Sequence, residues 1–90
     1  MAVFVDTGIF SGAYNLRDKY HERAGKLLGD ALTGKYGIAY TTDYVFDEAV
    51  TLTLYRTGKA ELAIELGEAI LRSPRVRVIN VTDDLFKGAW

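Results

Sequence analysis

Asp6 and Glu48 are the two acids whose positions could do chemistry. Asp6 directly follows Ala2–Val5, an apolar run of strand-forming residues with no polar break. Such a run suits a strand buried on both faces of a parallel sheet. An acid at its carboxyl end stands where open α/β sheets bind ligands. The same carboxylate could cap the helix that follows, accepting a hydrogen bond from the backbone N–H near Ile9, and the two roles are compatible. Glu48 carries a different signal. At 100° per residue, Tyr44, Val45, Thr51, Leu52 and Tyr55 all lie within about 60° of it on a helix, while Asp43 and Asp47 point to a more polar side. A carboxylate on an apolar stripe is costly unless something pairs with it. The candidates are a Lys or Arg, a hydroxyl donor such as tyrosine, or a metal ion. Two carboxylates converging at one sheet edge would suit a hard divalent cation, Mg²⁺ or Mn²⁺.

The elements that must position these acids alternate between strand and helix. Asp6-Thr7-Gly8 ends the first strand, and a short helix is expected from about Thr7 to Tyr14. Asn15-Leu16-Arg17-Asp18 is expected to open a second helix, where Tyr20, Ala24, Leu27, Leu28, Ala31 and Leu32 form one apolar stripe. Glu22 and Lys26 pair four apart on its opposite side, and Gly34 and Gly37 end it. Gly37–Tyr40 is a second strand. Thr41, Thr42 and Asp43 supply capping oxygens for a third helix that Gly58 terminates, which puts Glu48 one turn from the sheet edge that carries Asp6. Lys59 to Arg72 is a fourth helix with Leu62, Leu66, Ala69 and Ile70 on one face, broken by Ser73-Pro74. Arg75–Val81 alternates as a third strand, and Thr82-Asp83-Asp84 would cap a last helix running to Trp90. Helices between strands indicate βαβ units and a parallel sheet, an α/β fold.

Composition narrows the class. Ninety residues allow one domain, and 49% hydrophobic with 26% charged residues is a globular balance. No apolar run approaches the ~18 residues needed to cross a bilayer, and no secretion signal is expected at the N-terminus. The absence of cysteine removes disulfides, thiolate metal sites and thiol nucleophiles, and fits a cytoplasmic home. A net charge of −1 argues against a general nucleic-acid coat, though not against a local site. Dinucleotide binding fails because no Gly-x-Gly-x-x-Gly follows the first strand. A phosphatase of haloacid-dehalogenase type fails because Gly8 stands where a second Asp is required. His21 reads as a cap or packing residue, Tyr20 and Tyr55 as core, and Arg72, Arg75 and Arg77 as a solvated strand flank.

Four segments carry a family resemblance. Val3-Phe4-Val5-Asp6-Thr7 resembles the opening of a PIN domain, the ribonuclease fold of VapC-type toxins. The stretch from Tyr40 through Thr42, Asp43 and Glu48 to Leu52 resembles that family's second acidic motif, and Asp18-x-x-His21-x-x-Ala24 its helix start. Val78–Asp84, followed by Leu85 to Trp90, looks like its third strand and next helix. The resemblance spans the whole chain and implies a PIN-like three-layer α/β fold, a short central parallel sheet flanked by helices, forming a single domain over residues 1–90. It implies that Asp6 and Glu48 are the first two acids of a four-acid catalytic site holding Mg²⁺ or Mn²⁺, with Thr7 as a supporting hydroxyl. RNA is then the expected substrate and an antitoxin protein the expected partner. A homodimer in the cytoplasm, with no membrane attachment, is the expected form; the RNA-contacting residues are not indicated.

The family pattern continues beyond this length with the remaining acids. The chain is therefore expected to be its N-terminal two-thirds or so, with the C-terminal part missing. Asp83 and Asp84, the only acids after Glu68, fall at a helix cap that the family does not use for metal. On this reading Ala2–Val5 is an exposed edge that favours self-association. The alternative is a non-catalytic α/β protein-binding module that keeps the fold without the full acidic site.

Overall fold

The computed structural model describes residues 2–81. Three parallel strands, β1 (Ala2–Phe4), β2 (Ile38–Thr42) and β3 (Val76–Ile79), form one sheet in the order β1-β2-β3. Ala2 pairs with Ile38 and Ala39 with Val76, so β2 is central. Helices α1 (Thr7–Tyr14) and α2 (His21–Leu32) connect β1 to β2, and α3 (Asp43–Thr57) and α4 (Ala60–Arg72) connect β2 to β3. The expected α/β fold with a parallel sheet flanked by helices is what forms. The expected helix beginning at Thr82 lies outside the described residues, as do Asp83 and Asp84.

Local chemistry sets most boundaries. Thr42 caps α3 by accepting from the Val45 N–H at 3.0 Å. Gly58 ends α3 in the left-handed region, at φ 68°, donating to the Leu54 carbonyl, a conformation that costs side-chain-bearing residues more. Phe10 of α1, Leu66 and Ile70 of α4 and Ala39 of β2 are fully buried, joining both connections in one core. Burial of a side chain the size of Phe10 contributes about 1.5–3 kcal/mol.

The second helix starts later than the apolar stripe suggests. Residues 15–20 form turns, and α2 opens at His21. Asp18 is the reason: its Oδ1 accepts from the Tyr20 N–H at 2.8 Å and its carbonyl accepts from the His21 N–H at 3.0 Å. These bonds compete with an earlier helical turn. Tyr20 consequently sits outside the helix, 56% exposed, and is not a core residue. The rest of the stripe holds, with Ala24, Leu28 and Ala31 buried.

Asp18-x-x-His21-x-x-Ala24 is a clamp between α1 and α2. His21 Nδ1 lies 2.9 Å from the Gly12 carbonyl oxygen. Ala24 is buried against Gly12, where an added Cβ would come within 3.1 Å of the Ala24 Cβ. The small residues permit the close approach and the imidazole satisfies a carbonyl at the end of α1. His21 is thus the packing residue that its position suggests.

Candidate active site

β1 ends at Phe4; the next residue, Val5, donates its N–H to the Tyr40 carbonyl at 2.8 Å, and the chain turns directly into α1. Asp6 occupies that turn as N-cap: its Oδ1 accepts from the Ile9 N–H at 3.3 Å. The carboxylate is otherwise exposed. One oxygen is thus partly engaged by the helix start, while the other carries no hydrogen bond among the described residues and can accept a further donor or cation. Capping and ligand binding do not compete for the same lone pairs.

Thr7, the first residue of α1, connects this turn to α3. Its hydroxyl donates to Glu48 Oε1 at 2.6 Å, at the short end for a hydroxyl–carboxylate hydrogen bond. The bond joins residues 41 apart in sequence and fixes Glu48 to the residue beside Asp6. Among the described residues, neither an arginine nor a tyrosine hydroxyl fills that role.

Glu48 itself is exposed, which corrects the expectation of an acid buried on an apolar stripe. Tyr44 and Tyr55 beside it are 66% and 84% exposed, so Tyr55 is not core either. The helix turns its other side inward, through Ala49 and Thr53, with Val45 and Phe46 packed against the core. The cause lies in size. Small Ala49 and Thr53 let α3 approach its neighbours, and Gly67 of α4 leaves room for Phe46 and Val50. The tyrosine stripe is bulkier and stays outside.

Residues 3–90 match the PIN domain family. The chain belongs to that family. It is 32% identical over 89 residues to a VapC ribonuclease of Archaeoglobus fulgidus, a match covering 99% of this chain and 55% of the relative. Its fold matches the crystal structure of VapC20 from Mycobacterium tuberculosis, a toxin that cleaves the sarcin-ricin loop. There the TM-score is 0.75 at 32% identity, over 98% of this chain and 63% of that one. The chain thus spans about half the length of the curated relative it matches and under two thirds of the solved chain.

Among the described residues of this PIN domain, no three His, Cys, Asp or Glu side chains gather closely enough to hold a metal. Asp6 and the Thr7 hydroxyl just past the end of β1 and Glu48 of α3 supply oxygen atoms here, while Asp43 at the start of α3 accepts from the Tyr44 and Val81 N–H groups. Two further residues near Asp6 carry no sequence signal of their own. Arg23 and Arg56 line the same groove as Asp6, although they come from different helices and share no motif with it. Of the three arginines singled out from the sequence, Arg72 is ion-paired with Glu68 at 3.3 Å, and Arg75 packs its side chain over Gly34. Burial and the nearby Glu65 carboxylate push the Tyr14 hydroxyl above its ordinary pKa, which keeps it protonated at the end of α1. No helix among the described residues is long and apolar enough to cross a membrane.

Proposed function

We propose that this PIN domain is the part of a metal-dependent endoribonuclease, of toxin–antitoxin type, that carries the first two catalytic acids. The observation that carries this reading is the Thr7–Glu48 hydrogen bond at 2.6 Å, which ties the α3 acid to the residue adjoining Asp6. The donor set fits a hard divalent cation: two exposed carboxylates, each with an oxygen not engaged by the described protein, and no nitrogen or sulfur ligand. Asp6 and Glu48 would hold Mg²⁺ or Mn²⁺, sharing its coordination with water. Such an ion, when bound, polarises a phosphodiester and lowers the pKa of a bound water. Asp6 is held by its cap to α1 and Glu48 by Thr7, so both carboxylates meet substrate in a fixed orientation. The relatedness to a VapC ribonuclease and to a toxin that cleaves RNA supports this over a non-catalytic module.

The expected partners follow from the same reading: RNA as substrate, an antitoxin protein as inhibitor, a second copy of the chain, and a cytoplasmic location without a membrane. Large apolar side chains on the surface support protein partners, with Leu16, Ile64 and Leu71 each more than half exposed. Sedimentation at micromolar concentration tests the self-association, and a cooperative monomer would refute it. The catalytic reading is tested by incubating the protein with a fluorogenic oligoribonucleotide and Mn²⁺. Cleavage should vanish with EDTA and in Asp6→Asn. Cleavage retained by Asp6→Asn would remove Asp6 from the catalytic list.

A further inference from the structure

A groove of about 430 Å³ lies beside α1, and Asp6 lines it. Its walls come from three helices: Gly8 and Ser11 of α1, Arg23 of α2 and Arg56 near the end of α3, with Asp18 from the turn before α2. The groove therefore holds two acids and two guanidinium groups that could neutralise one another. They do not. The ion pairs among the described residues are Lys35–Asp30 and Arg72–Glu68, neither of them here. Asp18 spends one carboxylate oxygen on the Tyr20 N–H, and Asp6 spends one on the Ile9 N–H. Arg23 and Arg56 are exposed and carry no acidic partner among the described residues.

Two unpaired guanidiniums in one groove next to an acidic centre are a device for an anion. Asp6 and Glu48 repel a negatively charged ligand, and cations that do not cancel those carboxylates can offset the repulsion. Guanidinium is suited to phosphate because its planar fork donates two hydrogen bonds at once. The path to Asp6 is also low-walled. Gly8 has no side chain, and a Cβ built there would meet only Asp6 Oδ1, at 3.6 Å. A backbone phosphate can approach Asp6 over bare helix.

We propose that Arg23 and Arg56 clamp consecutive phosphates of a single RNA strand in the α1 groove and so bring the scissile bond to Asp6. This rests on the ribonuclease reading and assigns its substrate-holding residues. Both arginines are positioning residues. They set affinity and salt dependence, and they read no base identity because phosphate contacts carry none.

The test is fluorescence anisotropy of a labelled eight-nucleotide oligouridylate, titrated with the full chain in EDTA over a series of salt concentrations. Arg23→Gln and Arg56→Gln should each weaken binding about tenfold, as loss of a charge-assisted hydrogen bond does. Each should flatten the log–log salt slope by about 0.7, the value for one phosphate contact on a single strand. The two losses should combine to roughly 100-fold. Arg72→Gln, which removes an equal charge from the Glu68 pair on α4, should change neither quantity.

Equal weakening by Arg72→Gln would show a diffuse charge effect and overturn the clamp. Unchanged binding by the Arg23 and Arg56 variants would overturn it too, as would a wild type that fails to bind the oligonucleotide. Equal affinity for an oligoglutamate peptide would show a general anion surface in place of a phosphate site. None of these outcomes touches the ribonuclease reading, which the Asp6→Asn cleavage assay decides separately.

Discussion

Thr7→Val deletes one hydroxyl while keeping the side-chain volume and β-branching of the first residue of α1, so it isolates the bond to Glu48. The bond is short, 2.6 Å, and its acceptor is a carboxylate, which would place it at about 1.5–3 kcal/mol in a buried setting. Glu48 is exposed, and its freed oxygen regains water. The stability cost should therefore fall to about 1 kcal/mol, or about 4–8 °C in Tm for a domain of this size. The functional effect should be larger. Loss of the group that orients a metal-holding carboxylate typically lowers metal affinity or activity about 10–100-fold. A double-mutant cycle with Glu48→Ala, read by thermal melts and by Mn²⁺ titration, separates these effects. The cycle should give a coupling of about 1 kcal/mol between the two positions. A coupling near zero, with Mn²⁺ affinity unchanged in Thr7→Val, would refute the idea that Thr7 holds Glu48 in place.

Asp6 can be split into its two roles, because Asn caps a helix as well as Asp does but is a poor metal ligand. Asp6→Asn should keep Tm within a degree or two and lose Mn²⁺ binding, while Asp6→Ala should also lose about 0.5–1 kcal/mol. The low end applies because the Ile9 N–H lies 3.3 Å from the cap oxygen, a long hydrogen bond. His21→Phe keeps a ring between α1 and α2 but leaves the Gly12 carbonyl without its 2.9 Å partner. It should cost about 1 kcal/mol in urea unfolding and leave cleavage per folded molecule unchanged. Lost cleavage in a folded His21→Phe would make His21 a catalytic group.

The elements around the site were legible because strong local chemistry marks them. An unbroken apolar strand ends at an acid that caps, Thr42 caps α3, and Gly58 closes it with a positive φ. Asp6 could be chosen from position alone, since a strand end points to a sheet edge whatever packs around it. The orientation of α3 could not. Apolar residues occur nearly all round that helix, and the side that reaches the core is chosen by small residues rather than hydrophobic ones. The hydroxyl on Glu48 was equally hidden, because the partner of a side chain across two elements depends on how they dock. The same holds for Arg23 and Arg56, which lie on different helices and meet in one groove only in the folded chain. The start of α2 departs from the periodicity because Asp18 diverts backbone bonds that periodicity counts as helical.

Asp6 and Glu48 are proposed to hold one divalent cation together. The most direct test is Mn²⁺ titration followed by electron paramagnetic resonance on the wild type, Asp6→Asn and Glu48→Gln, with folding of each checked by circular dichroism. A single site in the wild type that weakens by at least tenfold in both folded variants is the predicted result. Equal Mn²⁺ binding by the wild type and either variant would contradict it.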